Sequence, residues 1–232
     1  MQALRRCSNL QLVGTRSSHS FYLMADNFSS APPATDPPHG DPIALFKQWQ
    51  ADAALTKIGD PTAMSLGTVD EHGFPSVRMV LVKAVDARGF VFYTNLDSPK
   101  SADLRKLPRA ALCFHWHAID RQVRIEGPVE PVAPAEADAY FATRARLSQI
   151  GAWASKQSAT MSGYWELEKA VASTLLKFPI GAVPRPPNWS GLRVRPLRME
   201  FWWQKPFRHH QRFVYERASV DAPWGKEQWL FP

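Results

Sequence analysis

The chain has 232 residues, enough for one large domain or two small ones with a proper core, and its 45% hydrophobic and 21% charged residues are those of an ordinary globular chain rather than a disordered one. No apolar run reaches the roughly 18 residues of a membrane-spanning helix, and two cysteines, Cys7 and Cys113, allow neither a disulfide framework nor a paired-cysteine zinc site and suit a reducing compartment. The 28 Lys and Arg against 21 Asp and Glu leave a net charge of +7, which favours an anionic partner, and nine Trp supply large flat surfaces for a core, an interface or a planar ligand.

From Met1 to Leu23 the chain carries Arg5, Arg6 and Arg16, several serines and no acid, the composition of an organelle transit peptide. The alternative is a start at Met24, which places the protein in the cytoplasm instead of a mitochondrion or plastid. Residues 25–40 are rich in Pro and Ser with few apolar anchors and read as a mobile arm, so 1–40 stands apart from an ordered region 41–232. Order is expected from Asp41-Pro42, a helix cap with Pro in the first turn, and Ile43, Phe46 and Trp49 at helical spacing carry that helix to about Ala54. Beyond Asp60-Pro61 the period falls to two. Thr62–Val69 and Phe74–Lys83 are predicted strands around an Asp70-Glu71-His72-Gly73 turn. Further strands are expected over Gly89–Asn95, Arg109–His117 and Arg121–Glu130, with a short helix over Ser98–Leu107. Helices near Pro134–Ala145 and Ser162–Phe178 follow, then a Pro-rich crossing (Val183–Asn188) and strands over Arg193–Trp203, Arg208–Arg217 and Gln228–Phe231. Strands, inserted helices and strands again predict an α+β, mainly β fold: an antiparallel barrel decorated by helices. No Walker or dinucleotide-type glycine loop is present.

Four constellations could carry chemistry. In Arg78-Met79-Val80-Leu81-Val82-Lys83, alternation puts Met79, Leu81 and Lys83 on one face and Arg78, Val80 and Val82 on the other. So apolar a strand is expected to be buried, its cations either meeting anions or standing in water at the strand ends. Ser98-Pro99-Lys100-Ser101 offers either an ordinary capped helix or a helix N-terminus with a Lys and hydroxyls, which suits a phosphate. Tyr140, Arg144 and Ser148, spaced at i, i+4 and i+8, would line one face if a helix runs through them; that face is either solvated or a cradle for three phosphate oxygens. In Arg208-His209-His210-Gln211-Arg212, strand alternation would group Arg208, His210 and Arg212, with Trp202 and Trp203 just before. Such crowded cations suit an anion or a planar ring. Adjacent His209 and His210 point opposite ways on a strand, and neither they nor His115 and His117 have a carboxylate or Cys placed to complete a metal site. Cys113, in an apolar-rich strand, reads as packing rather than a nucleophile.

At these residues the chain resembles the pyridoxine/pyridoxamine 5′-phosphate oxidase family. The matching segments are Asp60-Pro61-Thr62-Ala63-Met64, Arg78–Lys83, Phe92-Tyr93-Thr94-Asn95, Arg121-Gln122-Val123, Ser148-Gln149-Ile150-Gly151-Ala152-Trp153 with Ser155-Lys156-Gln157-Ser158, and Glu200-Phe201-Trp202 followed by Arg208-x-His210-x-Arg212. They keep the family's order and spacing from Asp41 to Pro232. The resemblance implies an FMN-binding split β-barrel over 41–232, with 189–232 as the C-terminal dimerisation and active-site segment of a homodimer. It implies oxidation of pyridoxine or pyridoxamine 5′-phosphate to pyridoxal 5′-phosphate, with O2 taking the electrons to give H2O2. FMN contacts are then implied for Arg78, Met79, Val80, Leu81, Val82, Lys83, Tyr93, Thr94, Lys100, Gln122, Gln157, Ser158, Trp202 and Arg212. Substrate-phosphate contacts are implied for Lys83, Tyr140, Arg144 and Ser148, and catalytic contacts near the pyridine ring for Arg208 and His210.

The chain departs from the family in three places. Pro99-Lys100 stands where an Arg-Lys pair is usual, removing one cation. His209, counted with the substrate-binding positions, stands where Leu is usual. The basic segment that closes over substrate in some members is not recognisable in residues 25–40. A flavin reductase of the same fold would lose Tyr140, Arg144, Ser148, Arg208 and His210. A nucleic-acid or polyanion module would gather its cations in one stripe, whereas these are spread over distant segments. A carrier of pyridoxal phosphate without turnover is the third alternative.

Overall fold

The computed structural model describes residues 40–57 and 59–232; the basic stretch up to Leu23, a start at Met24 and nearly all of the expected arm lie outside the described residues. Helix α1 (Pro42–Leu55) begins where Asp41 accepts the Ile43 N–H at 2.8 Å, with Pro42 in the first turn. Its apolar stripe is buried. The Phe46 ring lies 4.8 Å from both Phe90 and Phe114, roughly edge-on to each, and Trp49 meets Phe201 edge-on at 5.2 Å. Through these contacts α1 fills the hollow of the sheet that follows.

That sheet is built from β1 (Ala63–Val69), β2 (Pro75–Leu81), β3 (Ala84–Asp86), β4 (Gly89–Asn95), β5 (Arg109–Trp116), β6 (Arg121–Pro131), β7 (Trp189–Val194), β8 (Arg198–Trp203), β9 (Gln211–Glu216) and β10 (Gln228–Trp229). Every pairing is antiparallel, in the order β10-β9-β8-β6-β5-β1-β2, with β3, β4 and β7 on a branch. The fork is β6: Arg121–Glu126 pairs with β8, whereas Val129–Pro131 pairs with β7. This curled, antiparallel half-barrel carries α2 (Pro99–Lys106), α3 (Pro134–Thr143), α4 (Arg146–Ala154) and α5 (Glu166–Lys177), the α+β architecture expected. The β1–β2 hairpin turn is also as expected: Asp70 accepts the N–H groups of His72 and Phe74, each at 2.9 Å, and Gly73 takes φ +88°.

Two expectations are corrected here. Arg193–Trp203 is not one strand but the end of β7 and all of β8, broken at Arg195-Pro196-Leu197. Pro196 brings no N–H to a ladder, and the chain crosses β6 so closely that a Cβ on Gly127 would lie 2.0 Å from the Arg195 carbonyl oxygen. The Arg78–Lys83 strand is not buried on both faces. β2 is the last strand of its sheet, and Val77 and Met79 are 69% and 64% exposed while Val82 turns into the core.

Candidate active site

β2 and β4 bring the first constellation together. Arg78, Met79, Val80, Leu81 and Lys83 line a cleft of about 410 Å³ with Tyr93 and Thr94 from β4, Lys100 from α2, Tyr140 and Arg144 around the end of α3, and Gln157 and Ser158 beyond α4. An adjoining cavity of about 390 Å³ shares Tyr93, Thr94, Arg144 and Gln157 and adds Ser148. Val82 reaches neither by its side chain, which is buried in the core. Trp189, at the start of β7, lines both cavities and is not among the expected site residues, although a Trp directly after the Pro-rich crossing is visible in the sequence.

The cleft is cationic by construction. The ammonium of Lys100 is buried and donates to Thr94 Oγ1 at 3.0 Å, Ser98 Oγ at 2.9 Å and Gln157 Oε1 at 3.0 Å. All three acceptors are neutral. Burial, reinforced by Arg78, holds the ammonium below the ordinary lysine value. Arg78 is fixed by Thr68, the Leu66 carbonyl and Ser76, with Asp103 3.9 Å away. Ser98 does not cap α2 through its side chain as expected; its hydroxyl bonds the Asn95 carbonyl at 2.7 Å and so serves Lys100 instead.

Tyr140, Arg144 and Ser148 do not share one helix face. α3 stops at Thr143, Arg144 is extended (φ −72°, ψ 146°), and α4 starts afresh at Arg146. The break comes where Thr143 turns its hydroxyl back onto the Tyr140 carbonyl and Arg144 leaves the helical register. The three residues nevertheless border the two adjoining cavities. Tyr140, Tyr93 and Trp189 form a parallel stack, with centroids 4.0 Å apart in the first pair and 5.1 Å in the second. A Cβ on Gly191 would come within 2.8 Å of Tyr93, so only glycine leaves room for that ring. Burial raises both phenols above their ordinary value and keeps them as O–H donors at neutral pH.

The remaining expected site residues lie elsewhere in the chain. Gln122, Trp202 and Arg212 are register partners across β6, β8 and β9, and neither they nor Arg208, His209 and His210 line the cleft. The expected strand at Arg208 is also corrected: Pro206–Arg208 is a tight turn and β9 starts only at Gln211, so alternation does not group Arg208 with His210 and Arg212. Phe207 and Arg208 both take positive φ, +55° and +61°, a strained pair for side-chain-bearing residues, and both are exposed. Within the turn, the Lys205 N–H donates to His210 Nδ1 at 3.1 Å, so the neutral ring carries its proton on Nε2 and can offer it to a ligand. Trp202 lies 4.9 Å from that ring. Arg212 is clamped bidentately by the buried Glu200 (2.9 and 3.2 Å), which also meets Arg198 at 2.9 Å. Those arginines outweigh the burial that works against the charge and hold the Glu200 carboxyl below its ordinary value.

The family profile described as Pyridoxamine 5′-phosphate oxidase matches residues 51–177, and one described as Pyridoxine 5′-phosphate oxidase C-terminal dimerisation region matches residues 189–232. A Pyridoxine/pyridoxamine 5′-phosphate oxidase from Azorhizobium caulinodans is 53% identical over 192 residues, which is 83% of this chain and 90% of the relative. One of the same description from Brucella canis is 52% identical over 83% of this chain and 94% of its own. Among solved structures, PhzG from Burkholderia lata 383, in complex with tetrahydrophenazine-1-carboxylic acid, is similar with a TM-score of 0.80 at 30% identity, covering 88% of this chain and 100% of that one.

Proposed function

Because the chain belongs to the pyridoxamine 5′-phosphate oxidase family, we infer that it oxidises pyridoxine 5′-phosphate or pyridoxamine 5′-phosphate to pyridoxal 5′-phosphate, with FMN as its flavin and O2 as electron acceptor. The observation that carries this reading is Arg144. Its Nη1 is buried at the cleft without any hydrogen-bond partner, an arrangement that costs stability unless an anion completes it. A second cation, Lys100, is buried among neutral acceptors only. Two such groups fit two phosphate-bearing ligands.

In this reading Lys100, Arg78, Thr94, Gln157 and Ser158 hold the FMN phosphate end, and Met79, Val80 and Leu81 border its ring. Val82 contributes only backbone. Tyr140, Arg144, Ser148 and Lys83 hold the substrate phosphate. Bound FMN supplies the two-electron acceptor for the substrate's C4′ carbon and the route of those electrons to O2, which leaves as H2O2. The protein's part is orientation: phosphate contacts far from the reacting carbon fix the ring at attack distance. His210 would orient the substrate's C4′ oxygen or amine by a hydrogen bond from Nε2–H without transferring that proton, and Arg208 would set a cation over the pyridine ring with His209 beside it.

A single chain separates Gln122, Trp202, Arg208, His210 and Arg212 from the cleft. We therefore assign them to the cleft of a second copy, in a homodimer held partly by the 189–232 segment. Among the described residues no helix is long and apolar enough to cross a membrane, and the cytoplasm is the compartment this reading assigns.

The test is a visible absorption spectrum of the purified protein, repeated anaerobically after adding pyridoxine 5′-phosphate. A two-band flavin spectrum that bleaches is the expected result. A flavin that stays oxidised moves the function to another substrate, and failure to take up added FMN overturns the cofactor assignment.

A further inference from the structure

Arg144 has an unusual set of neighbours. Its side chain forms no hydrogen bond or ion pair within the described protein; its guanidinium lies 4.8 Å from the Trp189 ring centroid and 5.6 Å from that of Phe141. Aromatic faces, and not acceptors, determine where this cation sits. Trp189 is itself packed and hydrogen-bonded in place. It is 7% exposed, stacked on Tyr93, edge-on to Phe141 at 5.0 Å, and its carbonyl is held by Arg185 at 2.6 Å, which in turn binds Asp138 at 2.6 Å.

We propose that Trp189 is a positioning residue for substrate affinity: its indole face holds the Arg144 guanidinium by cation–π attraction and leaves the N–H fork free for the substrate phosphate. An acidic neighbour would hold Arg144 equally well but would occupy the N–H groups that the ligand needs and cancel the charge that attracts it. An aromatic face attracts the cation through its quadrupole and takes none of its strong donors. The same indole closes the parallel stack against Tyr93 and Tyr140, so one side chain sets the pose of both the cation and the phenol at this end of the cleft.

The proposal rests on the oxidase reading, and the experiment separates the two. Steady-state oxidation of pyridoxine 5′-phosphate is compared in the FMN-loaded wild type, Trp189→Leu, Trp189→Phe, Arg144→Ala and the Trp189→Leu/Arg144→Ala double variant, with inorganic phosphate as a competitive probe. Trp189→Leu is expected to raise KM and the phosphate inhibition constant about tenfold with kcat within about twofold, and Trp189→Phe, which keeps a smaller face, to raise both about threefold. In the Arg144→Ala background, Trp189→Leu is expected to add no more than about twofold, because the group it positions is gone. A fall in kcat with unchanged KM, or a full tenfold effect in the absence of Arg144, overturns the proposal. Should Trp189→Leu fail to fold, Trp189→Phe carries the test, and an unchanged KM and phosphate inhibition constant there overturn it. A wild type that does not oxidise the substrate refutes the oxidase reading instead.

Discussion

Replacing Lys100 with Met separates what this residue does for the fold from what it does for a ligand. Its ammonium is buried, makes three hydrogen bonds of 2.9–3.0 Å to neutral groups, and has no carboxylate partner among the described residues. Three bonds from a charged donor, at about 1.5 kcal/mol each, are slightly outweighed by a desolvation cost of several kcal/mol and by repulsion from Arg78, the balance that also lowers the ammonium's pKa. Ser98 keeps its bond to the Asn95 carbonyl without Lys100, and Gln157 Oε1 still faces Thr94 Oγ1 at 3.3 Å. The apoprotein is therefore expected to change by no more than about 1 kcal/mol, toward greater stability, with Tm rising by up to about 4 °C. FMN affinity responds differently. A unit charge about 4 Å from a phosphate in partly screened surroundings contributes up to about 4 kcal/mol, and with Arg78 still in place a loss of about 2–3 kcal/mol, roughly 30- to 150-fold in Kd, is expected.

The pH dependence has a definite sign. Burial depresses the Lys100 pKa in the folded state, so between that value and the ordinary lysine range the unfolded chain binds the extra proton. The penalty is full below the folded pKa and fades as pH rises through it. Wild-type apoprotein should gain stability toward alkaline pH relative to Lys100→Met. Apo Tm measured by calorimetry and FMN Kd measured by flavin-fluorescence quenching decide the matter. A Tm loss beyond about 5 °C with Kd unchanged within about twofold would refute the reasoning, since Lys100 would then be a structural cation and no ligand site.

Three further outcomes are expected. Arg208→Ala should lower kcat by about 10²–10³-fold while the flavin stays bound, because the residue stands on an exposed turn outside the core; release of FMN with little loss of turnover per bound flavin would reverse its role. Glu200→Gln should destabilise the protein by about 3 kcal/mol by leaving Arg212 and Arg198 without their buried partner. Since the Glu200 pKa is lowered in the folded state, that stability is present above the unfolded value near 4.3 and is lost as pH falls through the folded one; urea titrations of both proteins between about pH 3 and 7 should converge at the acid end. Gly127→Ala should cost about 3 kcal/mol and lower Tm by about 6–12 °C, as its Cβ would meet the Arg195 carbonyl at 2.0 Å; an unchanged Tm would show that the β6–β7 crossing yields easily.

Read alone, the amino-acid sequence determines what is local. Asp41-Pro42 and the Ile43, Phe46 and Trp49 spacing specify α1, and Asp70 to Gly73 specify a hairpin, because caps, turns and side-chain periodicity act within a few residues. It also supplies the cleft's cations and hydroxyls, Arg78, Lys83, Lys100, Tyr140, Arg144 and Ser148, residue types suited to phosphate. Tertiary structure decides what depends on distant neighbours. The split of Arg193–Trp203 into two strands is set by the tight crossing at Gly127, whereas the end of α3 before Arg144 and the turn at Arg208 are closed by the short-range Thr143–Tyr140 and Lys205–His210 bonds, which side-chain periodicity does not register. Only the fold places Trp189 against Arg144, 45 positions apart in chain numbering, and leaves Lys100 among neutral acceptors. Propensity and pattern carry no record of which buried cation goes without a partner; that is decided when the strands and helices close on one another.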